Sequence, residues 1–284
     1  MTVDSPTTHS PVIDFVGAWR ALLMQDRSAR LDPEVDRAFW EQYAPYYDAR
    51  TAPPGSYDHV LEALCALVRP DDTVLDIGAG TGRFAVPLAR RVRQVTALDH
   101  APAMLRMLAA KLRAQGVTNV VCQLAEWERA GVVPHDVVLA AWSLYRALDL
   151  DLALAKMVAA TRRVLVIITS DAFTPPHRPA YEAIWGGMRE PETPLYLYVL
   201  GALRQIGVRA DVRILWETRC YSAPGRDELL RQLAPLDATA DQLQRFGAAL
   251  HAWLQPQDGQ WIYRFDVPVP LLIWQRDAGE RRFA

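Results

Sequence analysis

The chain has 284 residues, is 51% hydrophobic and 23% charged, and carries a formal net charge of −2. That length allows one large domain or a domain with a cap, and the composition excludes wholesale disorder and a global basic field for nucleic acid or anionic lipid. Three scattered cysteines, Cys65, Cys122 and Cys220, form no C-x-x-C pair, which excludes a zinc ribbon or a thioredoxin-like site.

The polar stretch from Met1 to Pro11 lacks the apolar region of a signal peptide and is expected to be mobile. With no run of 18 apolar residues, a cytoplasmic chain with no membrane span is expected. Val12, Phe15, Val16, Trp19, Leu22 and Leu23 recur at helical spacing and predict a helix over Val12–Met24. A second helix is expected from Pro33 through Phe39 and Trp40 towards Tyr47. A third is expected from Tyr57 to Val68, after the turn Pro53-Pro54-Gly55.

From Thr73 the rhythm changes. Strands are expected at 73–77, 94–98, 119–122, 136–140 and 163–169, with helices at 82–91, 101–115 and 150–160 between them. Such alternation predicts an α/β, doubly wound, mostly parallel sheet with helices on both faces. Beyond Ser170, helices are expected at 181–188, 195–206, 227–233 and 238–254. Asp211–Trp216 reads as a strand, and Val267 to Trp274 ends as one. Pro268 and Pro270 suggest an edge or an irregular entry to it.

The chemistry concentrates in Val74-Leu-Asp-Ile-Gly-Ala-Gly-Thr-Gly-Arg83. A strand runs into Gly78, Gly80 and Gly82, which open a helix. Glycine permits positive φ and lets a ligand lie against bare backbone, and a helix start offers unpaired N–H groups. Asp99, at the end of the next strand, sits where it can accept both hydroxyls of a ribose. A dinucleotide fingerprint needs a third glycine where this chain has Arg83, so a pyrophosphate ligand is disfavoured.

With Asp76 ahead of the glycines, the D-x-G-x-G-x-G pattern resembles the cofactor loop of class I S-adenosylmethionine (SAM) methyltransferases. The similarity covers about residues 40–170. It implies a Rossmann-like, seven-stranded sheet, with Asp211–Trp216 and Leu271–Trp274 as its last two strands. It also implies a helical N-terminal lid segment at 1–56, a SAM-binding core at 57–170 and a substrate cap at 171–284. On the same resemblance, Asp76, Gly78, Ala79, Gly80 and Gly82 back the methionine portion and Asp99 binds the ribose. His100 and Met104 pack on the adenine, Glu126 faces its amino group, and Trp127 covers the ring. Ala141 lies in the loop facing the methyl group, and Tyr47 or Tyr43 folds over the cofactor as part of the lid. No metal is required.

The loop Ala141-Trp-Ser-Leu-Tyr145 lacks the [D/N]-P-P-[Y/F/W] motif of amino-group methyltransferases acting on adenine or glutamine amides. The expected reaction is in-line methyl transfer to a small organic acceptor, in a biosynthetic pathway, by a monomer or homodimer that binds neither nucleic acid nor membrane. Tyr145, His177 and Asp171 are the candidate proton acceptors. The aromatic-rich tail (Tyr181, Trp185, Tyr196, Tyr198, Trp216, Trp253, Trp261, Tyr263, Trp274) suggests an aromatic acceptor pocket. Competing readings are an RNA or protein acceptor, with Arg90-Arg91-Arg93 as a local basic stripe, a non-catalytic SAM-binding protein, and transfer of another group from SAM. His9, His59, His135 and His251 have no context that gives them a role.

Overall fold

The computed structural model describes residues 13–26, 32–51, 58–186 and 193–276. The expectations for Met1–Pro11, the Pro53-Pro54-Gly55 turn, His9, Tyr57 and Met188 lie outside those residues.

Helix α1 (Phe15–Asp26) buries Trp19 and Leu23 and anchors itself through Trp19 Nε1, which donates to Ala147 O at 2.7 Å. Helix α2 (Pro33–Tyr43) starts where expected, because Asp32 accepts from the Glu34 and Val35 amides and Pro33 occupies the first turn. A short 3-10 turn leads into α3 (Tyr47–Thr51). Asp58 caps α4 (His59–Leu67).

The core alternates as predicted: β1 (Thr73–Ile77), α5 (Ala85–Ala89), β2 (Gln94–Asp99), α6 (Pro102–Ala114), β3 (Val120–Leu124), β4 (His135–Ala141), α7 (Leu150–Ala160) and β5 (Thr161–Ile168). All pairings among these strands are parallel. Next come α8 (Arg178–Trp185), α9 (Leu195–Gln205), β6 (Asp211–Ala223), α10 (Arg226–Leu233), α11 (Ala240–Ala249), β7 (Leu254–Gln257) and β8 (Gln260–Gln275). The strand order is β3-β2-β1-β4-β5-β8-β6, with β7 pairing β8. Alternate residues of the inner strands face two apolar layers. Leu75, Val138 and Leu165 meet α1, α7 and α9, while Val74, Val137 and Val166 meet α4, α5 and α6.

The sheet has eight strands rather than seven, and the last strands are longer than expected. β8 pairs with β5 only from Leu271 to Gln275. Its remaining length runs past the end of β5 and stays paired with β6, from Pro270 opposite Ile214 to Trp261 opposite Ala223. Pro268 and Pro270 fall where β5 has ended, so their missing N–H groups break no ladder on that side. This two-stranded arm closes a separate core with α8, α10 and α11, around Tyr221, Leu230, Phe246 and Tyr263. The helix expected over 238–254 ends at Ala249; a 3-10 turn at His251–Trp253 follows, and β7 starts at Leu254. Among the described residues, no helix is long and apolar enough to cross a membrane, and no cluster of three metal-ligating side chains occurs.

Candidate functional site

The loop after β1 turns back under the end of β2. Gly78, Gly80 and Gly82 have φ of +74°, +55° and +88°. The Gly78 and Ala79 amides donate to Leu98 O at 2.8 and 3.0 Å, pinning the loop. A Cβ on Gly82 would stand 2.3 Å from Leu108, so that glycine is required for the fit of α6. A Cβ on Gly80 would meet nothing within 4 Å; this is the open side of the loop. Asp99 grips the loop from β2: its Oδ2 accepts from the Gly80 amide and its Oδ1 from the Ala101 amide, both at 2.8 Å. Burial raises the Asp99 carboxyl pKa even though both amides pull it down.

Above this loop lies a cavity of about 300 Å3. Gly78, Gly80, Asp99, His100, Met104, Glu126, Trp127, Ala141, Tyr47 and Tyr145 all line it. Asp76, Ala79 and Gly82 do not. Asp76 is 1% exposed beneath the loop, and burial, with Asp99 nearby, pushes its pKa up to about 7. Ala79 belongs to the apolar layer. These three residues lie behind the cavity wall and shape the loop that lines it.

The N-terminal helices roof the cavity. Asp36, absent from the sequence reading, is fully buried at the centre of this roof. It takes His100 Nε2 at 2.5 Å, the Tyr145 hydroxyl at 3.3 Å and Arg146 at 3.5 Å. Trp40 Nε1 donates to the Tyr145 oxygen at 2.8 Å. Tyr47 stands edge-on to Trp40. Asp48 clasps the loop, accepting from Thr81 Oγ1 and pairing with Lys111, both at 2.6 Å. Ser143 Oγ and Arg146 Nε, buried in cavity-lining residues, have no hydrogen-bond partner among the described residues, which fits a site built for a polar ligand.

A second cavity of about 720 Å3 opens between the sheet and the cap. His177 and Asp171 line it, and Tyr145 does not. Burial, with Arg178 beside it, depresses the His177 pKa to about 4, so the ring is neutral at pH 7; its Nδ1 lies 3.0 Å from the Tyr263 hydroxyl. Of the nine tail aromatics in the sequence reading, only Tyr181 faces this cavity. Trp185 packs on Phe246, Tyr263 is buried in the cap core, and Trp216 and Trp253 face solvent. The aromatic lining comes instead from Phe39 and Tyr43 of α2, and from Trp142, Phe173 and Tyr221.

Trp142 lines both cavities. It holds φ at +50°, an unfavourable value for so large a side chain. Its amide donates to Ile168 O at 2.8 Å, and its ring stacks on Phe84 with Arg83 above it. Arg83, the residue that breaks the dinucleotide fingerprint, bridges Asp58 at 3.0 Å and Glu217 of β6 at 2.8 Å. Glu217 also pairs with Arg219 at 2.8 Å. Outside both sites, His135 is buried against Thr96, while His59 and His251 are exposed.

Residues 74–166 match the family model described as a methyltransferase domain. A Haemophilus influenzae protein described as uncharacterized is 35% identical over 183 residues, 62% of this chain and 66% of that one. The 23S rRNA (uracil(1939)-C(5))-methyltransferase RlmD of Pseudomonas putida is 34% identical over 101 residues, 32% of this chain. The chain thus spans 66% of the first relative's length and 22% of the second's. Among solved structures, the [4+2]-cyclase SpnF is similar with a TM-score of 0.56 at 16% identity, covering 87% of this chain and 97% of that one. At that identity the likeness concerns the fold.

Proposed function

From a chain whose residues 74–166 match the methyltransferase-domain family model, we infer an S-adenosylmethionine-dependent enzyme that methylates a small organic acceptor in a cytoplasmic biosynthetic pathway. One observation carries this reading. The cavity over the glycine loop and the larger, aromatic cavity share a wall, Trp142. A donor held over Gly80 and an acceptor held under the cap would meet at that wall.

SAM supplies a methyl group already activated on a sulfonium. The chain's part is to bind, align and dry the reactants, which is worth up to about 7–11 kcal/mol in favourable cases. The bare backbone of Gly80 leaves room for the methionine portion, while the missing side chain of Gly78 makes room for Ser143. Each Asp99 oxygen accepts one amide and keeps a lone pair for a ribose hydroxyl. Met104 and Trp127 would flank the adenine, with Glu126 and the unpartnered Ser143 and Arg146 groups available to its polar edge. On the acceptor side, Asp171 lines the cavity as a candidate proton acceptor, and His177 is a neutral, weakly basic ring whose Nε2 has no hydrogen-bond partner among the described residues. Tyr145 OH is held by Asp36 and Trp40 in the roof of the donor cavity, which fits a positioning role.

Titration with SAM and S-adenosylhomocysteine tests the reading. Both should bind, and Asp99→Ala should weaken binding by about 1 kcal/mol or more. Unchanged affinity in a folded variant would remove the ribose assignment. An RNA acceptor predicts strongly salt-dependent RNA retention, which the near-neutral charge disfavours.

A further inference from the structure

Three guanidinium groups line the larger cavity: Arg50, Arg178 and Arg219. Two are matched by carboxylates. Arg178 pairs with Glu182 at 2.7 Å and Arg219 with Glu217 at 2.8 Å. Arg50 differs. Its Nη2 donates to two carbonyls at the end of α10, Arg231 O at 2.9 Å and Ala234 O at 2.7 Å. It makes no ion pair among the described residues; besides the two carbonyls, its guanidinium engages only the neutral Tyr43 hydroxyl there. A half-buried guanidinium with only neutral partners keeps its full charge facing the cavity.

Phenols surround this cation. Its carbon lies 5.8 Å from the Tyr43 ring centre. The Tyr221 hydroxyl donates to Arg50 O at 2.8 Å and so fixes the backbone that carries it. No hydrogen bond engages the Tyr181 hydroxyl among the described residues. Burial raises the phenol pKa values of Tyr43 and Tyr181 against the pull of Arg50, so both hydroxyls remain protonated donors. The cavity's unpaired carboxylates, Asp171 and Asp237, are not within ion-pair distance of Arg50.

Resting on the reading of this cavity as the acceptor site, we propose that the acceptor is an organic carboxylate. Its anionic group seats on the Arg50 guanidinium, which no carboxylate neutralises, and on the hydroxyls of Tyr43 and Tyr181, and its apolar body lies on Phe39, Phe173 and Trp142. Arg is suited to this role because its planar N–H fork matches a carboxylate and each such hydrogen bond is charge-assisted. The two carbonyls at the end of α10 orient the fork without neutralising it.

The test is titration of the protein, saturated with S-adenosylhomocysteine, with 3-phenylpropionate and its neutral amide, 3-phenylpropionamide. The acid should bind at least about tenfold more tightly than the amide. Tyr181→Phe should reduce that preference about threefold or more, and Arg50→Gln should abolish it. Arg50→Lys should keep part of it. Affinity for S-adenosylhomocysteine should stay within about twofold in all three variants, which separates a lost anion seat from a lost fold. Equal binding of acid and amide, an acid preference that survives Arg50→Gln, or no acid binding up to about 10 mM would each overturn the proposal. If S-adenosylhomocysteine fails to bind while acid preference persists, the donor assignment falls and the anion seat stands.

Discussion

The two cavities are built on opposite principles. The smaller one is made largely by one stretch of chain, from Ile77 to Arg146, in which bare backbone and a strand-end acid form the floor and unpartnered polar groups line the wall. The larger one draws on α2 and α3, the loop after β5, α8, β6, the end of α10 and β8, and half of its charges are already paired. The first is a local, backbone-defined site suited to an invariant ligand. The second is a tertiary, side-chain-defined site whose specificity is set by residues distant in sequence.

The contrast is most severely tested where the two halves join. Glu217→Gln leaves the buried Arg83 and Arg219 short of a carboxylate and should cost about 3–5 kcal/mol in denaturant unfolding. A loss below about 1 kcal/mol would mean that the halves are joined by packing alone.

Each half also carries a buried group whose pKa is far displaced, and the two act in opposite directions with pH. Asp76 has its folded pKa raised to about 7, so protonation favours the native state and stability falls as pH rises from about 4 to 7, by up to about 4 kcal/mol. Asp76→Asn should remove that fall. His177 has its folded pKa lowered to about 4, so its contribution is complete above the ordinary histidine pKa and is lost as pH falls from about 6.5 towards 4, by up to about 3 kcal/mol. His177→Gln should flatten that acid limb. Unfolding curves of the two variants across this range would separate the contributions.

The smallest effect is expected at Tyr145. Its hydroxyl meets Asp36 and Trp40 rather than the larger cavity, so Tyr145→Phe should change turnover by less than about tenfold, the low end expected for losing a general base being a hundredfold. A larger loss in single-turnover measurements would return Tyr145 to the reacting atoms.

Legibility followed the same division. The strand, the glycines and Asp99 were readable because their roles come from backbone conformations and spacings of a few tens of residues. Asp36, Arg50 and Tyr221 were not, because each acquires its role only when helices and strands far apart in the chain meet. The aromatic tail misled for a related reason: large rings serve a cap core as well as a pocket, and Trp185 and Tyr263 went to the core. Strand β7 did have a sequence signal. Asp258-Gly259, with φ of +49° and +74°, is a two-residue hairpin turn whose residue types favour that geometry.

The bridge from Arg83 to Glu217 carries a lesson for engineering. The glycine loop is stitched to the cap through a single acid on β6, with Asp58 and Arg219 completing the set. Transplanting another cap onto this scaffold would leave Arg83, beside the glycine loop, with Asp58 alone unless the graft supplied a carboxylate at the place of Glu217. The boundary at which halves can be swapped therefore lies outside that quartet, and position 83 and position 217 have to be rewritten together.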